Sequence, residues 1–169
     1  KNTLDPDAAG TRVVPERSGN ENGVCGIAGK KGFSVLRVFK TKIGTSAADT
    51  EKIMRIFAQK GIYPVCVSSG VDCVSLTVPK SRIVGKEDYI RNEICACAEP
   101  SCVTLGDDCA LIAIVGAGQR LSEVFSALDG ERIEATSVDA GSGDGAITIG
   151  VAENDLDRAI KALYRKLIK

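Results

Sequence analysis

Histidine and tryptophan are both missing from this 169-residue chain. Without histidine the commonest general base is gone, and no catalytic constellation is expected. Aromatic residues make up only 4%, too few for a base-stacking platform. Neither sign of charge is in excess, with 22 Lys and Arg against 22 Asp and Glu. A nucleic-acid or anionic-membrane partner would want a basic surplus, so neither is expected. No apolar run reaches membrane-spanning length and no signal peptide is visible, which points to a cytoplasmic chain. The chain opens on Lys1 rather than Met, so an upstream part is expected.

Cysteine, by contrast, is plentiful: Cys25, Cys66, Cys73, Cys95, Cys97, Cys102 and Cys109. The number is odd, and most of the seven sit inside apolar patterns, as reduced buried thiols do. Cys95, Cys97 and Cys102 raise a metal hypothesis. Their spacing matches no common zinc motif and no histidine can complete a set, so no metal is expected.

Periodicity supplies the positive signal. Residues 1–23 read as loop, with Val24–Ala28 a short strand and Lys30-Lys31-Gly32 a break after it. Phe33–Phe39 is a strand rich in β-branched and aromatic residues. Ser46 is a plausible helix N-cap with Asp49 in the first turn. Ile53, Ile56 and Phe57 follow at i, i+3, i+4, and Gly61 closes the helix. Strands are predicted over Ile62–Val67 and Asp72–Val78, the second with Val74, Leu76 and Val78 on one face. Pro79 to Gly85 reads as loop. Lys86–Ala98 is helical with Ile90, Ile94 and Cys97 on a stripe, and Cys102–Leu105 is a strand.

After a turn at Gly106-Asp107-Asp108 the same order starts again. Ala110–Val115 is a strand, and Leu121, Val124, Phe125 and Leu128 mark one face of a helix. Arg132–Val138 is a strand, Gly141 to Gly145 a hairpin turn, and Ile147, Ile149 and Val151 alternate on the next strand. Leu156, Ile160, Leu163 and Leu167 line a last helix. The repeat is about 75 residues long. Its second copy has no closing strand of its own, and Val24–Ala28 can fill that place, the first module being inserted into the second. The expected fold is α+β: two ferredoxin-like βαββαβ modules with antiparallel sheets and helices on one face. The expected division is 1–23 as the end of a preceding domain and a linker, 24–29 as a strand of the second module, 30–108 as the first module and 109–169 as the second.

Two strand-to-helix turns could carry chemistry. Gly116-Ala117-Gly118 follows a strand and precedes a helix, as a dinucleotide fingerprint does, but Leu121 holds the third glycine position and belongs to the core stripe. At Lys42–Asp49 a helix N-terminus offers unpaired N–H groups and partial positive charge, which can hold a carboxylate without a basic side chain. A neighbouring strand edge can hold an ammonium, so the corner suits an α-amino acid. On chemistry alone an ordinary connecting turn is the better reading.

The sequence resembles the C-terminal regulatory region of aspartokinase, a pair of ACT modules. Three stretches carry the resemblance: Lys1-Asn2-Thr3 with Pro6 and Gly10-Thr11; Ile53 to Ile62 with Val67-Ser68-Ser69 and Val74 to Thr77; and Leu111–Gly116 with Val124 to Leu128 and Asp157 to Leu163. The resemblance implies a parent enzyme that phosphorylates the side-chain carboxylate of L-aspartate with ATP and Mg, opening lysine, threonine and methionine synthesis. Its kinase domain would lie upstream, so this piece would hold no catalytic residue and no cofactor. The implied role is to bind an end-product amino acid, lysine or threonine, and to pair with a second copy as a homodimer. The effector residues carried over are Ile43, Gly44, Thr45, Ser46, Asp49, Thr50, Pro64 and Val65. Lysine-sensing relatives have an acidic residue where this chain has Val65, and a Ser-Glu pair where it has Gly70-Val71. The rival expectation is an ACT pair that dimerises and has lost effector binding.

Overall fold

The computed structural model describes residues 23–118, 120–141 and 145–168. The opening KNT segment and the tip of the 141–145 turn lie outside the described residues. In chain order the elements are β1 (Gly26–Phe39), α1 (Ala47–Gln59), β2 (Cys66–Ser69), β3 (Cys73–Pro79), α2 (Lys80–Ile83), α3 (Glu87–Ala98), β4 (Cys102–Val115), α4 (Leu121–Gly130), β5 (Ala135–Ala140), β6 (Ile147–Ala152) and α5 (Leu156–Leu167). Short 3-10 turns at Ile43–Thr45 and Glu153–Asp155 precede α1 and α5. The strands form one antiparallel sheet in the order β2-β3-β1-β4-β6-β5.

The α+β, ferredoxin-like plan is what the chain adopts, but its two expected sheets are halves of one. The predicted strands at Val24–Ala28 and Phe33–Phe39 are a single strand, as are Cys102–Leu105 and Ala110–Val115. Each supposed break is a β-bulge. One extra residue is absorbed between Lys30 and Phe33 on β1, and one between Leu105 and Asp107 on β4. Gly32 (φ +88) and Gly106 (φ +128) adopt the backbone these bulges need, which side chains rarely do. Gly26–Lys30 pairs with Leu111–Val115, and Phe33–Phe39 pairs with Cys102–Cys109 and β3.

Burial follows strand alternation and helix periodicity. Leu36, Val38, Val74, Leu76 and Val78 meet Ile53, Phe57, Ile90 and Ile94 in one core. Ala110, Ile112, Ile114, Ile147, Ile149 and Val151 meet Val124, Leu128, Ala159 and Leu163 in another. Each fully buried aliphatic side chain contributes about 1.5–3 kcal/mol relative to exposure. Phe33, Val35 and Cys109 form a third, small cluster on the side away from the helices. Cys66 of β2 and Asp139 of β5 stand at opposite ends of the strand order, yet burial and the Asp139 charge together push the Cys66 thiol upward.

Both modules end their first helix alike. Gly61 (φ +64) and Arg132 (φ +56) sit left-handed. The next residue, Ile62 or Ile133, donates its N–H to the carbonyl five back, Phe57 at 2.9 Å or Leu128 at 3.0 Å. This 6→1 closure satisfies the last helix carbonyls and buries the isoleucine. It also displaces the predicted strands: Ile62 and Arg132–Glu134 belong to helix ends, and β2 and β5 start later. Phe125 is a further correction. It is 43% exposed, and Val124 and Leu128 carry the core contact instead. The predicted 79–85 loop holds the single turn α2, which buries Ile83.

Candidate functional site

The junction of β1 with α1 lies directly on the β2–β3 turn. Lys42 is left-handed (φ +62), and its amide donates to Asp72 Oδ1 at 2.6 Å. The Lys40 amide donates to Asp72 O and the Gly44 amide to Val71 O, both at 3.1 Å. A Cβ on Gly44 would stand 1.9 Å from Gly70 O, so only glycine fits. Ile43 is wholly buried and belongs to the first core, which removes its side chain from any ligand contact.

Ser46 caps α1 as expected, its Oγ accepting from the Asp49 amide at 3.2 Å. Thr50 Oγ1 donates to Ser46 O (3.4 Å), and Thr45 Oγ1 donates to Lys42 O (2.7 Å). These hydroxyls therefore hold the turn. The amides of Ala47 and Ala48, in the exposed first turn, have no partner among the described residues. With the exposed Lys42 ammonium nearby in the chain, the corner can receive a carboxylate.

Asp49 does a different job from the one expected of it. Its side chain is only 11% exposed, with Lys40 Nζ at 2.7 Å from Oδ2 and Lys52 Nζ at 3.8 Å from Oδ1. Lys52 also donates to Cys97 O at 3.2 Å, tying α1 to α3. The hydrogen bond from Lys40 holds the Asp49 carboxyl below its ordinary value, helped by the Lys40 and Lys52 charges and the Ser46 hydroxyl, against the opposing effect of burial. The folded pKa lies below the unfolded one. The contribution to stability is therefore present above the unfolded value and lost as pH falls through the folded one. Melting temperatures of Asp49→Asn, compared with wild type between about pH 6 and pH 3, should fall less on acidification.

Pro64 and Val65 are not brought to this corner. Val65 donates its amide to Thr77 O at 2.8 Å, and Cys66 is in register with Thr77. That is the end of β2 remote from Gly70, roughly 15 Å away at strand rise. The eight expected residues thus divide into Ile43–Thr50, which form one corner, and Pro64–Val65, which do not join it. Lys42, which opens the expected turn, joins Lys40, Gly70 and Asp72 in completing the corner; none of the four is among the eight carried-over residues. Gly44 was an advance signal of the close backbone approach, since there, and not at Gly70, a Cβ would clash.

The rival turn offers no cradle. A Cβ on Gly116 would meet Gly23 O at 2.8 Å, so that glycine answers to backbone packing. The Arg120 guanidinium is committed to Glu123 (2.8 and 2.6 Å) and Leu167 O (3.3 Å). An open groove of about 570 Å³ lies elsewhere, between α4 and β5 around Phe125, Asp129 and Ile133, and holds none of the expected residues. All seven cysteines are free thiols, and no group of three or more His, Cys, Asp or Glu among the described residues could hold a metal. No described helix is long and apolar enough to cross a membrane.

No protein-family model matches the chain. Aspartokinase 3 of Bacillus subtilis is 26% identical over 172 residues, covering 98% of this chain and 38% of that protein. The chain thus spans about a third of the length of the curated relatives it matches. Among solved structures, the allosteric aspartate kinase of Clostridium acetobutylicum superposes with a TM-score of 0.80 at 30% identity, over 85% of this chain and 34% of that one. The regulatory subunit of aspartate kinase from Thermus flavus shares the fold over 98% of its own length and 85% of this chain, with a TM-score of 0.72 at 15% identity. E. coli aspartokinase III, solved with lysine and aspartate, does so over 98% of this chain and 38% of its own, with a TM-score of 0.73 at 19% identity. The homologues of this chain are aspartokinases, and what it matches in them is the C-terminal regulatory region.

Proposed function

We propose that this chain is the regulatory part of an aspartokinase: it binds an end-product amino acid, lysine or threonine, and biases an attached kinase domain. The parent reaction would convert ATP and L-aspartate to 4-phospho-L-aspartate in the cytoplasm, with Mg. The chain alone is expected to have no kinase activity. The observation that carries the reading is the Gly44–Thr50 corner, where the exposed first turn of α1 has two amides with no partner among the described residues. An α-carboxylate suits those amides. The lysine bound to the E. coli relative supports the ligand class.

Dimerisation has its own support. Strand β2 is an open sheet edge, and the run from Gly61 to Val71 carries no charged residue. Tyr63, Val65, Val67 and Val71 are all exposed along it. A bare apolar edge of this kind pairs with another strand unless it is blunted. A second copy, joined edge to edge, would place two corners near one seam.

Regulation requires only that the effector bind one arrangement better than another, by about 1–3 kcal/mol. Thermal melts across a panel of amino acids at millimolar concentration test this. At about a hundredfold excess over Kd, the true effector should stabilise the chain by about 2.7 kcal/mol, roughly 5–10 °C for this length. A flat response across the panel would remove sensing from the account. One observation favours the rival, dimer-only reading: Asp49 is occupied by Lys40 and Lys52, and Asp72 Oδ1 by the Lys42 amide. No carboxylate of the corner is left wholly free for a cationic side chain. Sedimentation would then give a dimer whose mass and stability ignore every amino acid tested.

A further inference from the structure

The two bulges lie three strand positions apart and flank one short segment. On β1 the extra residue falls between Lys30 and Phe33; on β4 it falls opposite the Val35–Leu36 step. Asp108, in register with Ser34, stands between them. On one side of this segment is the core built on α1 and α3, on the other that built on α4 and α5. Only the small Phe33, Val35 and Cys109 cluster sits at the junction itself. A bulged ladder has unpaired backbone and a local bend, which makes it the softest part of a long strand pair.

An ion pair ties α2 to this bulged segment. Lys80 follows Pro79, the register partner of Phe33, and lies on α2, whose Ile83 is buried in the first core. Its Nζ lies 2.6 Å from Asp108 Oδ2. Glu153, on the turn leading into α5, follows Ala152, the register partner of Cys109 beside Asp108. Lys80 therefore ties the first module to the bulged segment through Asp108. β3, which ends at Pro79 just before Lys80, begins beside Asp72 of the candidate corner.

We propose that the double bulge is a hinge between the two modules and that Lys80, bonded to Asp108, is the brace that holds its angle. The brace is half exposed, so it is weak enough to be released and sensitive to salt. The pair is reversible in sign: a swapped pair should brace as well as the native one.

Amide hydrogen exchange of the whole chain tests the proposal, with Lys80→Gln keeping much of the side chain's length without the charge. Amides of Lys31–Ser34 and Gly106–Cys109 should exchange about two- to fivefold faster in Lys80→Gln. Those of the α1 and α5 interiors should not change. The double variant Lys80→Glu with Asp108→Lys should restore the slow rates, and raising salt should accelerate the wild type but not Lys80→Gln. Unchanged exchange at both bulges would overturn the proposal. So would equal acceleration throughout the chain, or failure to fold that the charge-swapped pair does not rescue, since either would make Lys80 a general structural contact.

Discussion

Phe57→Ala should lower the unfolding free energy by about 3–5 kcal/mol, the largest single effect expected in this chain. Phe57 is 1% exposed and heads the fully buried side chains by volume. It stands on α1 among the side chains of the first core, including those of β1 and β3, elements set by backbone ladders that cannot follow an inward collapse. The cavity therefore stays largely open, and its cost adds to the lost transfer energy. The helix end is spared, because Phe57 serves it through its carbonyl, accepting from Lys60 and Ile62. Urea denaturation followed by circular dichroism reads the loss. Phe125→Ala is the control: Phe125 is 43% exposed and should cost under about 1 kcal/mol. Similar losses from the two would contradict the packing described above.

Gly44→Ala should be the most damaging change at the candidate site. The reason is space. The new Cβ would meet Gly70 O at 1.9 Å and Gly70 C at 2.9 Å, both backbone atoms. Gly70 cannot retreat freely, because its amide is bonded to Cys73 O at 2.8 Å at the start of β3. Relief must come from the corner, and the Gly44-to-Val71 hydrogen bond is the contact that breaks. Overpacking of this kind costs about 1–3 kcal/mol. The functional reading adds a second consequence: the first turn of α1 moves off its mark, and the melting shift produced by the effector should vanish. Gly61→Ala separates the two effects. Gly61 has open space but a φ of +64, so alanine there costs stability through backbone strain while leaving the effector response intact. A Gly44→Ala chain that still responds fully to the effector would move the site elsewhere.

Much of this architecture can be read from local pattern. Ser46 as a cap, Gly61 as a left-handed helix end and the Val74, Leu76, Val78 alternation each depend on chemistry within a few residues. Arg132 shows the limit. It takes the same left-handed geometry as Gly61, in the same place in the second module, with nothing in an arginine to announce it. The buried Ile133 and its bond to Leu128 impose it. Gly32 and Gly106 show the same limit from the other side: a glycine between apolar runs marks a turn or a bulge equally well, and the partner strand chooses.

The candidate site divides along the same line. The order of elements, the repeat and the polar, glycine-bearing turn ahead of α1 follow from the amino acids alone, because periodicity and capping are short-range. Which carboxylates stay free does not. Asp49 looks available until Lys40 and Lys52 converge on it, and Asp72 until the Lys42 amide takes Oδ1. Val65 looks close to the corner until its amide bonds Thr77 O, beyond the far end of β2. Apart from Lys52, one helix turn from Asp49, those are Coulombic and hydrogen-bonding outcomes between groups on different elements, and only the packed sheet sets their distances.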